Sequence, residues 1–164
     1  MALNTLEDLY VDHLKDLYNA EQQMIKALPK LANKSTSPKL KDAFESHLRQ
    51  TEAQVGRLET VFQNMQKDPR GKKCMGMEGL IQEGEEALTE EMDPIVRDSA
   101  IIGASQKAEH YEISAYGTAI AYARLLGDDE AINLFKQSLN EEAQADEMLT
   151  KIAVGGVNEA AVLR

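Results

Sequence analysis

A chain of 164 residues with 43% hydrophobic and 28% charged residues, 10 glycines and 4 prolines suits one domain with a substantial core; these proportions exclude collagen-like and disordered chains. Eighteen basic against 28 acidic residues leave a net charge of −10, which repels phosphate backbones and excludes bulk nucleic-acid binding as the main role. One cysteine cannot form an internal disulfide. Neither a basic-then-apolar leader nor a membrane-length apolar run occurs, so a cytoplasmic protein without a membrane span is expected.

Thr5, followed by Leu6, Glu7 and Asp8, offers a capping hydroxyl with acids for a first helical turn. Leu3, Leu6, Tyr10, Leu14, Leu17, Met24, Leu28 and Leu31 then recur at helical spacing, which predicts a first helix over about 3–33. Ser37-Pro38 is a cap with proline at the first helical position. It opens a second helix over about 38–66 carrying Leu40, Phe44, Leu48, Val55, Leu58, Phe62 and Met65, stopped by Asp68-Pro69-Arg70-Gly71. Residues 67–93 form a connection with a short helix from Met77 to Thr89. Asp93-Pro94 repeats the restart and opens a third long helix over about 94–126. Gly127-Asp128-Asp129 ends it and caps a fourth over about 128–153, which fades near Gly155-Gly156. No segment alternates at period two for long enough to be a strand.

The first and third connections are short, so each helix pair forms an antiparallel hairpin. The middle connection is long enough to return the chain along a helix of roughly 40 Å. The fold class expected is therefore all-α: a ferritin-like four-helix bundle, two hairpins joined by one crossover, spanning residues 1–164. A shift of 91 positions supports an internal duplication, setting Glu21 on Glu112, Ala32 on Ala123, Phe44 on Phe135, Leu48 on Leu139 and Leu58 on Leu149.

Acids interrupt the apolar seams. Residues seven apart share a helix face, so Glu21 points where Leu14 and Leu28 point. On the third long helix, Glu109 lies in line with Ile102, Tyr116 and Ala123, and Glu112 with Ser105, Ala119 and Leu126. On the fourth, Glu142 lies between Phe135 and Leu149, with Asp146 one turn beyond and Glu141 beside the stripe. The second helix brings His47, Thr51 and Gln54 to the same level, and no Lys or Arg shares these lines. Carboxylates gathered in a bundle interior cannot all stay ionised unaided, because desolvation costs several kcal/mol each and repulsion adds to it. Protons or cations must neutralise them. Carboxylates with an imidazole suit iron or manganese.

The stretches Tyr18-Asn19-Ala20-Glu21, His47-Leu48 with Thr51 and Gln54, Lys73-Cys74-Met75-Gly76-Met77-Glu78-Gly79-Leu80-Ile81, Ala108-Glu109-His110-Tyr111-Glu112-Ile113 and Glu141-Glu142 resemble the YciE/YciF-like family of ferritin-like bacterial stress proteins over essentially the whole chain. The resemblance implies a helical homodimer with a possible metal site. Broader ferritin-like di-iron proteins carry Glu-x-x-His pairs on two helices. Here Glu141 is followed three residues later by Gln144, Glu142 by Ala145, and Gln50 by Ala53, with His47 one turn earlier. An all-carboxylate site or a single weaker metal is the alternative to a tight di-iron centre.

The leading expectation is an iron (or manganese) site serving stress, metal or oxidant handling. Glu21 and Glu112 are the symmetry-related terminal ligands, Glu142 and Glu109 bridge, and Asp146, His47 and Gln54 complete or support the shell. The rival is a non-enzymatic dimer whose acids are protonated and which acts through a partner surface; a metal-free acid–base pair is a third reading. Cys74, beside Lys72 and Lys73, is either a redox-reactive thiolate or a small anchor for the crossover. Gly103, His110 and Gly117, spaced by sevens, could seat the crossover or a partner subunit; His13 is structural or exposed.

Overall fold

The structure, a computed structural model, describes residues 3–163. Helix α1 runs Leu6–Lys34 and begins three residues later than the periodicity predicts. Thr5 is extended and forms a full capping box: its Oγ accepts from the Asp8 N–H at 3.0 Å and the Asp8 carboxylate accepts from the Thr5 N–H at 3.0 Å. Leu3 therefore precedes the cap. Helix α2, Pro38–Asn64, ends two residues early because Gln66 turns left-handed, at φ 55°. Helix α3, Met75–Thr89, starts on Cys74, whose Sγ accepts from the Met77 N–H at 3.4 Å. Helix α4, Pro94–Leu126, has the predicted bounds and closes on Gly127 at φ 74°, a conformation that favours glycine. Helix α5, Asp129–Ile152, is capped by Asp128. The chain does not stop at Gly155-Gly156. It makes a wide π turn over Ala153–Val157, with Gly156 at φ 135°, and re-enters a short helix α6, Asn158–Val162. No strand occurs among the described residues.

Helices α1 and α2 pair, as do α4 and α5; α1 also packs on α4 and α2 on α5, and the crossover helix α3 lies against α4 and α1. Gly76 permits that docking, since a Cβ there would come within 2.6 Å of the Tyr111 ring. The Gly103–His110–Gly117 stripe does not seat α3; all three residues are exposed on the outer side of α4. Asp98, buried at the start of α4, ties the two hairpins together. Its oxygens accept from the Thr36 N–H at 2.8 Å and the Ser37 N–H at 2.7 Å, in the α1–α2 turn.

The interior is layered. One apolar cluster gathers Met24, Leu28, Leu40, Phe44, Ile101 and Leu149 near the α1–α2 turn; the other gathers Leu14, Leu17, Leu58, Phe62, Ala119 and Phe135 toward the opposite end. Between them each long helix contributes buried polar residues: Glu21 from α1, His47, Thr51 and Gln54 from α2, Glu109 and Glu112 from α4, Ser138 and Glu142 from α5. Each fully buried large apolar residue in the flanking clusters contributes about 1.5–3 kcal/mol. Among the described residues no helix is long and apolar enough to cross a membrane.

Candidate metal centre

Four side chains converge in the waist. His47, Glu109, Glu112 and Glu142, all buried, each offer one ligand atom, and these atoms lie within 4.8 Å of one another. His47 Nε2 stands 3.1 Å from Glu109 Oε2 and 3.4 Å from Glu142 Oε2. On its far side Nδ1 faces Gln50 Oε1 at 3.1 Å. An amide oxygen only accepts, so Nδ1 carries the proton and Nε2 is aimed at the carboxylates, the orientation a metal-ligating histidine needs. Apart from this off-axis contact with His47, both oxygens of Glu109, Glu112 and Glu142 have no hydrogen-bond partner among the described residues.

Burial pushes the carboxyls of Glu21 and Glu112 well above the ordinary range, and neighbouring carboxylates push the same way. Burial also raises Glu109, against the pull of His47, to about 8. Glu142 differs: burial alone would raise it, but His47, with the neighbouring Glu109 and Glu112 carboxyls, holds it near 2. Burial disfavours the His47 cation, yet Glu109 and Glu142 outweigh that and raise it well above its usual value. Without an ion, burial and mutual repulsion favour protons on Glu21, Glu109 and Glu112, while the contact with His47 favours the ion pair of its imidazolium with Glu142. A divalent cation would take the place of those protons.

A second polar cluster adjoins the first, and its acid is paired from within. Arg57 grips Glu141 with two bonds of 2.7 Å and donates to Ser138 Oγ at 3.1 Å, while Gln54 Nε2 donates to Glu141 Oε2 at 3.0 Å. Gln54, expected as a ligand or support, is thus turned toward Glu141. Glu21 sits beside the four-residue group rather than in it, and its Oε1 accepts a short hydrogen bond from Tyr116.

Asp146 is a correction. It lies outside the waist, where its carboxylate accepts from Gln106 Nε2 at 3.0 Å and contacts His110 Nε2 at 3.2 Å. Four residues rotate a helix face by about 40°, enough to carry Asp146 past the seam that Glu142 occupies. Thr51 is no ligand either, since its hydroxyl donates back to the His47 carbonyl at 2.9 Å. Sequence reasoning missed Tyr116, read there as apolar packing, and Arg57, whose long side chain reaches inward from a neighbouring line. Cys74 is buried at the α3 cap. Its Sγ lies 3.0 Å from the Tyr111 hydroxyl, which donates to Asp16 at 2.9 Å, and burial pushes the thiol up, so it is an anchor and not a low-pKa nucleophile. His13 is structural, with Nε2 2.8 Å from the Ala115 carbonyl oxygen.

Two hairpins, one long crossover, and acids meeting an imidazole at mid-height define a ferritin-like helical bundle. The chain belongs to the family described as "Domain of unknown function (DUF892)", whose profile matches residues 5–162. It is 41% identical over 162 residues to Protein YciF of Escherichia coli (strain K12), covering 98% of each chain. The crystal structure of that E. coli stress protein superposes with a TM-score of 0.91 over 95% of this chain and 99% of its own. A Rhodopseudomonas palustris protein described as a putative structural protein, YcfI, matches with a TM-score of 0.87 at 42% identity, covering 90% of this chain and 94% of that one. A two-domain Anabaena variabilis protein containing DJ-1/ThiJ/PfpI-like and ferritin-like domains shares the fold at 19% identity and a TM-score of 0.62, over 94% of this chain and 38% of its own.

Proposed function

We propose that the chain is a stress protein of the YciF type whose waist holds a single divalent transition-metal ion, iron or manganese, through His47, Glu109, Glu112 and Glu142. One observation carries this reading: carboxylate oxygens of three glutamates, buried and unpartnered, face one imidazole nitrogen whose tautomer is fixed from behind by Gln50. A bound ion would supply one-electron chemistry toward oxygen or peroxide. The chain's own residues do the rest: Gln50 orients His47, Tyr116 draws Glu21 aside, and the flanking apolar clusters exclude water. Glu21 is the acid left for a second ion, and its Tyr116 partner argues against one. We further propose a cytoplasmic homodimer, the dimer being what the YciE/YciF resemblance implies.

The test is elemental analysis of protein purified without chelator and reloaded anaerobically with Fe(II) or Mn(II). One ion per chain is expected, lost in Glu112→Ala and Glu142→Ala variants that still fold and kept in Glu21→Ala. The second reading, a metal-free structural or interaction protein, draws on the internal charge balance of the proton-loaded waist and on the description of the R. palustris relative. Protein that stays metal-free after reloading would establish it.

A further inference from the structure

The waist is not sealed on all sides. A cleft of about 440 Å³ opens between α2 and α5 and ends on His47 and Glu109. Its walls are mostly apolar, with Phe44 and Ala43 from α2 and Ala145, Met148, Leu149 and Ile152 from α5, and Ser46, Gln50 and Gln144 add polar atoms. Oxygen or peroxide would need only the volume of a water molecule or two, about 30 Å³ each, whereas this cleft falls in the range that holds small organic molecules. Its existence follows from the sequence. Ala145 stands three residues after Glu142, where the Glu-x-x-His pattern of di-iron bundles puts an imidazole. The missing ring leaves the space through which Glu109 is reached.

We infer that this cleft binds a neutral hydroxylated amphipath, an alcohol or phenol with an apolar body, its hydroxyl placed against His47 and Glu109. The mostly apolar walls favour an apolar body over a polar one. At the mouth Lys39 and Asp42 oppose each other in charge, so the rim selects neither anion nor cation. At the inner end a hydroxyl can donate to a Glu109 oxygen and, in the metal-free protein where Nε2 carries a proton, accept from His47; neither of those atoms has another partner of good geometry. Met148, half exposed at the lip, covers the apolar end with an adaptable thioether. The inference deepens the metal reading by naming the class of molecule the site receives; binding itself draws only on groups of the chain.

The experiment titrates metal-free and metal-loaded protein with 1-butanol, 1-hexanol and 1-octanol, following the methyl resonance of Met148. Affinity is expected to rise about fourfold per methylene, as burial of each CH₂ in an apolar cleft requires. Ala145→Phe from α5 and, independently, Ala43→Phe from α2 fill the cleft and are expected to weaken 1-octanol at least tenfold. Neither substitution touches a ligand group, so metal content stays unchanged. A flat response to chain length, no saturable binding, or full binding in both plugged variants overturns the cleft whatever the metal content. Octanol binding that the plugs abolish, in protein that takes up no metal, leaves the cleft standing and removes the metal reading alone.

Discussion

Glu141 and Glu142 are neighbours in sequence and belong to two polar clusters of opposite character. Glu141 is held by Arg57 and Gln54, with Arg57 donating also to Ser138, at the partly exposed edge of the bundle. Glu142 lies at the centre among Glu109, Glu112 and Glu21, and among the described residues His47 is the cationic group in contact with it. The same residue type, one position apart, is a structural strut in one case and an unmet charge in the other. Burial alone does not mark a site. A surplus of acceptors that the protein itself leaves unfilled does.

The sharpest way to break this comparison is to neutralise one acid in each cluster. Glu112→Gln is expected to abolish metal uptake, weakening it by about 100-fold or more. The metal-free variant should melt within about 0.5 kcal/mol of the parent, because Glu112 already carries a proton there. Metal titration followed by calorimetry, alongside thermal melting, reads both outcomes; a folded variant with undiminished uptake removes Glu112 from the site. Gln50→Ala comes next. Without the acceptor behind Nδ1 the imidazole loses its fixed orientation, and a 10- to 100-fold loss of metal affinity is expected with the melting point nearly unchanged.

The satisfied cluster should respond in the opposite sense. Arg57→Ala strands Glu141 near the surface and is expected to cost about 1–2 kcal/mol, partial solvent access lowering the figure for a fully buried pair. Metal stoichiometry should not move. Chemical denaturation together with elemental analysis separates the two clusters, and loss of metal in a folded Arg57→Ala protein would join them.

Acidity gives the smallest and most gradual effect, on the metal-free protein. Glu109, raised to about 8, and His47, also raised, contribute stability that is fully present below their unfolded values and lost as pH rises through their folded ones. Glu142, held near 2, contributes stability present above its unfolded value and lost as pH falls through the folded one. Melting temperature should therefore peak near pH 5, decline gradually toward pH 9 and fall again in strong acid. Metal uptake should show the reverse trend above pH 5, releasing protons as it proceeds. A melting temperature that climbs from pH 5 to 9 without metal would contradict the proton-loaded waist.

The long helices and the crossover were legible because their ends carry unambiguous chemistry. Ser37-Pro38 and Asp93-Pro94 can each do little but start a helix, and Gly127 takes the left-handed cap. The tail was not legible, because paired glycines read as a stop when the backbone in fact widens into a π turn and continues. In the site, spacing by sevens located the four converging residues and Glu21, since it reports only which way a Cβ points. It could not report where a long side chain ends. Gln54 is drawn to Glu141, Arg57 reaches in from the flank, and Asp146, a short step round the helix, turns out to Gln106. Tyr116 carried no warning at all, because its hydroxyl matters only through Glu21, ninety-five positions away.

If the waist takes up metal as proposed, a proton-loaded centre would separate synthesis from loading in time. One imidazolium balances one carboxylate, and the remaining acids are uncharged. A newly made chain would then close around its centre with no ion at hand and exchange those protons for one later.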